Sequence, residues 1–174
     1  MSHEKIREAL SGVLQHFEQH PELGPTTDST AVATWQGGLR FETQGPNGAT
    51  LVSEMPKAVG GGGSAPTPGW LLRAALANCN ASMIALRAAQ TGVALTKLEV
   101  AVDSDSNDRG MLGLADVPPG PHLVRVRVQI AGEGASAEQL QAVVDWADRH
   151  SPVADALRRE VPVTMTVVHD SPLR

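Results

Sequence analysis

The chain carries one cysteine, Cys79, within LLRAALANCNASMIAL at residues 71–86, flanked by Asn78 and Asn80 and followed by Ser82. A thiol is potentially a strong nucleophile, and the reactive form is the thiolate. A cysteine in an apolar helix is by default a small hydrophobe. A purely packed helix, however, has no use for the polar groups that gather around this one. With a single thiol no internal disulfide can form. The six histidines are scattered along the chain and one cysteine cannot make the usual thiolate cage, so no metal site is expected. No Gly-x-Ser-x-Gly elbow is present. His150 and Ser151 are adjacent in ADRHSP, but Ser151 reads as a helix cap ahead of Pro152. Four consecutive glycines occur in VGGGGSAPTP, residues 59–68, without the Lys-Ser/Thr pair of a phosphate loop. They are expected to let the chain pass close to something.

The elements that would position Cys79 follow from periodicity and from turn residues. Residues 4–20 have helical spacing, with Ile6, Leu10, Val13, Leu14 and Phe17 on one side, and Pro21 ends the run. Three short strands are predicted around residues 31–36, 39–43 and 49–55, joined by Gly37-Gly38 and by GPNG as an antiparallel meander. Thr67-Pro68 is a cap followed by a first-turn proline, so a helix should run to about Ala89 and close at Gly92. Along it Leu72, Leu76, Cys79, Met83 and Leu86 form one stripe, and alanines fill most other faces. That pattern predicts a helix buried on nearly every side. Strands are predicted over residues 97–103 and 122–130, with SDSNDRG as an intervening turn or loop. A capping box at SAEQ, residues 136–139, opens another helix, a short one covers residues 153–159, and VPVTMTVV reads as a last strand.

Composition narrows the partners. The formal net charge of -5 and the absence of any basic run argue against a nucleic-acid surface. Aromatic residues make up 3% of the chain, too few for base-stacking platforms. No apolar run is long enough for a signal peptide core or a membrane span, so a cytoplasmic protein is expected. The expected organisation is an N-terminal helix and linker over residues 1–28 and one domain over residues 29–174.

Taken together, GGGGSAPTPGWLLRAALANCNASM, TGVALTKLEVAVDSDSNDRGMLGL and LQAVVDWADRHSPVADALRREVPVTMTVV resemble the OsmC-like family of osmotically induced and organic hydroperoxide resistance proteins, over roughly residues 30–169. The resemblance implies an α+β intertwined homodimer, with antiparallel sheets wrapped around two long central helices per subunit and active sites at the subunit interface. It implies that Cys79 is the peroxidatic cysteine, that Arg40 in GGLR stabilises its thiolate, and that Trp70, Asn80, Met83 and Ser151 line the substrate site. Arg109 in NDRG is a further cation with a solvated turn as its simplest role. The chain departs from the family pattern at two positions. Ser151 stands where the family has a resolving cysteine, and Gly69 where it has a glutamate. The implied activity is therefore a one-cysteine peroxidase for organic hydroperoxides that needs no cofactor and is regenerated by an external thiol or dithiol. Two alternatives stand beside it: a non-catalytic OsmC-like protein that binds a small apolar ligand or senses oxidants, and a cysteine with only a packing role.

Overall fold

The computed structural model describes residues 3–114 and 116–169. It is an α+β arrangement of two antiparallel sheets and five α-helices among the described residues. After α1 (His3–Gln19) come β1 (Val32–Trp35), β2 (Arg40–Gln44) and β3 (Thr50–Glu54), paired in that order. The first turn needs positive φ at Gly37 and Gly38, 97° and 54°, and the second at Asn47 and Gly48, 58° and 72°. These are the residue types that tolerate the left-handed region. The register sets Arg40 directly opposite Glu54.

Helix α2 (Pro68–Thr91) begins where the Thr67 hydroxyl accepts the Trp70 N–H and ends at Gly92, whose φ of 77° lets its N–H reach the last carbonyls. Strands β4 (Leu95–Asp105) and β5 (Leu123–Gly132) form the second sheet. Arg125 binds Asp103 and Asp105 across it, and Arg127 binds Asp103, so opposite charges on facing positions hold the register. The SDSNDRG segment is more ordered than a loop: the Asn107 side chain accepts the Arg109 N–H and starts the one-turn helix α3 (Asp108–Met111). The Ser136–Gln139 capping box opens α4 (Ala137–His150), and Ser151 joins it to α5 (Pro152–Arg158).

The core lies between α2, α4 and the β4–β5 sheet. Ile84, Ala88, Val93, Val143 and Ala147 are its buried centre. Small alanines on α2 and α4 let the two helices approach closely, and Ile84 fills the space that remains.

Helix α2 keeps one side open within a single chain, where Ala75, Asn78 and Ser82 are exposed. One two-stranded sheet and the neighbouring helices cannot enclose a 24-residue helix. One expectation needs correction: the VPVTMTVV segment forms no strand, residues 161–168 pairing with no strand among the described residues, and Val163 and Met165 are 90% and 89% exposed. Alternating β-branched residues favour a pleated surface only when a neighbouring strand supplies hydrogen bonds, and no strand among the described residues does so.

The β1–β3 sheet is similarly bare. All of β1 is exposed, and the helices and the second sheet make no more than isolated contacts with this meander.

Candidate active site around Cys79

Cys79 lies midway along α2, half-buried, on the face that turns toward α5. Burial of Val143 and Ala147 fixes α4 against α2, and the chain then reverses at Ser151. Pro152 favours extended backbone at the residue before it, and Ser151 has φ -78° and ψ 112°. This bend places the Ser151 hydroxyl 3.2 Å from the Cys79 sulfur, across 72 positions of sequence. Ser151 is 1% exposed, and its oxygen also accepts the Ala154 N–H at 3.3 Å. With that N–H occupying an oxygen lone pair, the hydroxyl proton is free to point at sulfur. Such a bond is stronger to a thiolate than to a thiol. Ser151 is thus both the helix cap that the sequence predicts and the polar neighbour of the only thiol.

The other predicted site residues are spread out. Asn80 is 5% exposed, its Oδ1 has no hydrogen-bond partner among the described residues, and it lines a cavity of about 280 Å³ with Leu76, His122 and Arg158. Met83 packs against the core around Ile84. Trp70 is half-exposed at the start of α2, with its N–H on the Thr67 cap. Arg109 lies in α3, exposed, its N–H given to Asn107. Arg40 makes no hydrogen bond or ion pair with Cys79 among the described residues. Its Nη1 donates to Ser64 Oγ at 2.6 Å and lies 3.8 Å from Glu54 Oε2.

A larger cavity of about 710 Å³ runs along the first turns of α2, with Met55, Val59, Leu72, Leu76 and Met111 among its apolar walls. Gly69 lines it and contributes no side chain, while Arg73 lines it with Nη1 donating to Ser104 Oγ at 3.2 Å. Cys79 lines neither cavity, yet Leu76, shared by both, is less than one helical turn before it. Thiol, buried amide and apolar volume therefore occupy one side of the same helix.

Sequence reasoning missed Arg73, Glu54 and Ser64. Arg73 is one turn beyond Gly69 on the predicted helix and could have been found from that spacing. Glu54 and Ser64 belong to a strand end and a loop with no periodic relation, and only the run of glycines hinted at a close approach.

Comparison with known proteins agrees with this architecture. The family model described as OsmC-like protein matches residues 61–166, from the glycine loop to the terminal segment. An organic hydroperoxide resistance protein of Xanthomonas axonopodis pv. citri is 33% identical over 140 residues, covering 79% of this chain and 93% of that protein. Among solved structures, an OsmC-like protein from Mycoplasma pneumoniae aligns with a TM-score of 0.61 at 18% identity, over 84% of this chain and 99% of that one. An organic hydroperoxide resistance protein from Elizabethkingia anophelis aligns with a TM-score of 0.57 at 20% identity, over 78% and 91% of the two chains. The family match spans the cysteine helix, both strands of the second sheet and the Ser151 bend, so this chain belongs to the OsmC-like family.

Proposed function

We propose that the protein is a thiol-dependent peroxidase that reduces organic hydroperoxides through Cys79. The observation that carries this reading is the Ser151 hydroxyl directed at the Cys79 sulfur, 3.2 Å away, beside apolar volume along α2. The Cys79 thiolate attacks the terminal peroxide oxygen; the O–O bond breaks, the alcohol leaves after taking up a proton, and Cys79 becomes a sulfenic acid. Ser151 cannot form a disulfide, so an external thiol must attack the sulfenic sulfur. That step expels water and leaves a mixed disulfide, which a second thiol cleaves to restore Cys79. The relative in Xanthomonas is named for organic hydroperoxide resistance, which supports the choice of substrate class.

The active form in this proposal is a cytoplasmic homodimer, with residues 1–28 as an appendage to the catalytic domain. The support is the incomplete cover of one chain: an unpartnered β1–β3 sheet, an exposed side of α2 and an unpaired VPVTMTVV segment. Among the described residues no helix is long and apolar enough to cross a membrane. Arg40 would stabilise the thiolate, reaching it from a second subunit.

Purified protein with excess dithiol should consume cumene hydroperoxide over many turnovers, and Cys79→Ser should abolish this. Equal inertness of both proteins would sink the peroxidase reading. The apolar cavity of about 710 Å³ would then favour a non-catalytic ligand-binding role, checked by native mass spectrometry for a bound small molecule.

A further inference from the structure

The glycine-rich loop has no role in the chemistry above, and Gly69 leaves Arg40 without the carboxylate that the family resemblance places on the helix. Both facts meet at Glu54. This residue ends β3, is 8% exposed, and lies opposite Arg40 in the strand register. The loop wraps its carboxylate: the Gly62 N–H donates to Oε1 at 2.9 Å, and the Ser64 N–H and hydroxyl both donate to Oε2 at 2.7 Å. The approach is close enough to require glycine. A Cβ at Gly62 would stand 2.6 Å from Glu54 Oε1, and one at Gly61 would stand 1.9 Å from the Met55 carbonyl oxygen. The close passage that the glycines predict is thus around a side chain of the same protein.

Ser64 then links the carboxylate to the cation. Its hydroxyl oxygen accepts from Arg40 Nη1 at 2.6 Å while its proton goes to Glu54, so donor and acceptor roles are consistent along the whole relay. Arg40 Nη1 and Glu54 Oε2 are 3.8 Å apart, an ion pair that supplements the bridge. Hydrogen bonds from Ser64 and Gly62, with the Arg40 charge, hold the Glu54 carboxyl below its ordinary range and keep it ionised.

We propose that Glu54 is a positioning residue for Arg40: gripped by the glycine loop, it orients the guanidinium through Ser64 in place of the carboxylate absent at Gly69. This rests on the reading in which Arg40 serves the Cys79 thiolate. The same loop leads directly into Thr67 and the start of α2, so it connects the frame of Arg40 to the helix that carries the thiol.

The test compares wild type, Arg40→Ala, Glu54→Gln, Ser64→Ala and the Arg40→Ala/Glu54→Gln double variant. Two readouts apply: the pH profile of Cys79 alkylation by iodoacetamide, and kcat/KM for cumene hydroperoxide. Expected are displacements of the alkylation profile toward higher pH in every variant. Glu54→Gln should lose roughly tenfold in kcat/KM, the scale of one hydrogen bond to a charged group. The double variant should be no worse than Arg40→Ala alone, because both changes remove one function. Ser64→Ala leaves the backbone bonds to Glu54 intact, so it separates the relay from folding of the loop. If Arg40→Ala shifts the profile while Glu54→Gln and Ser64→Ala do not, Glu54 has no positioning role and the peroxidase reading stands. Losses that multiply in the double variant would likewise reject the relay. If Arg40→Ala leaves both readouts at wild type, the role of Arg40 falls and this proposal falls with it.

Discussion

At the scale of single residues, the contact between Ser151 and Cys79 separates two fates of an oxidised thiol. Wild type treated with one equivalent of peroxide should gain one oxygen at Cys79, read by intact mass. Ser151→Cys places a thiol where a hydroxyl now lies 3.2 Å from sulfur, and the same treatment should instead remove two hydrogens as a disulfide closes. A stable sulfenic acid in that variant would mean the two side chains cannot reach bonding geometry. Glu54 yields a prediction about pH. Its carboxyl is held below the usual glutamate range, chiefly by the Ser64 hydroxyl, then by backbone N–H groups of Ser64 and Gly62. Because the folded value is depressed, its stabilising contribution is fully present above the unfolded value and is lost as pH falls through the folded one. Urea midpoints of wild type and Glu54→Gln should therefore differ at neutral pH and converge in acid. A gap that stays constant with pH would show that the charge is not involved.

At the scale of elements, α2 does two jobs whose demands differ along its length. Its second half builds the core through Ile84, Ala88 and Ala89, while about one turn earlier Cys79 meets the start of α5 and Asn80 lines the smaller cavity. Ile84 is 1% exposed, and Ile84→Ala should cost about 2–5 kcal/mol of unfolding free energy, because it leaves a cavity among close-packed groups. Ser136 caps α4 reciprocally with Gln139, and Ser136→Ala should cost about 1 kcal/mol. Denaturant titration of both variants checks the order. A smaller loss for Ile84→Ala than for Ser136→Ala would contradict the assignment of the core. The helix starts and hairpin turns were legible because each depends on residues a few positions apart: Thr67 with Trp70, Ser136 with Gln139, Gly37 beside Gly38.

At the scale of the whole molecule, one chain leaves too much apolar surface without cover. A three-stranded meander needs a packed face to be stable, yet β1–β3 receives almost none from its own chain. Val163, Met165 and Val168 project into solvent at 85% exposure or more. Light scattering should give the mass of two chains, and truncation after Arg159 should disrupt that species; a monomer that retains peroxidase activity would overturn the dimeric proposal. Sequence by itself determined the local architecture, the stripe that carries Cys79 and the family to which the chain belongs, because caps, turns and periodicity are short-range properties and motifs keep their spacing. Only the tertiary structure decided which distant groups meet: Ser151 with Cys79, Glu54 with the glycine loop and Arg40, and VPVTMTVV with no strand among the described residues. Those outcomes depend on which surfaces remain free once the core around Ile84 has formed, and no local pattern of residues encodes that.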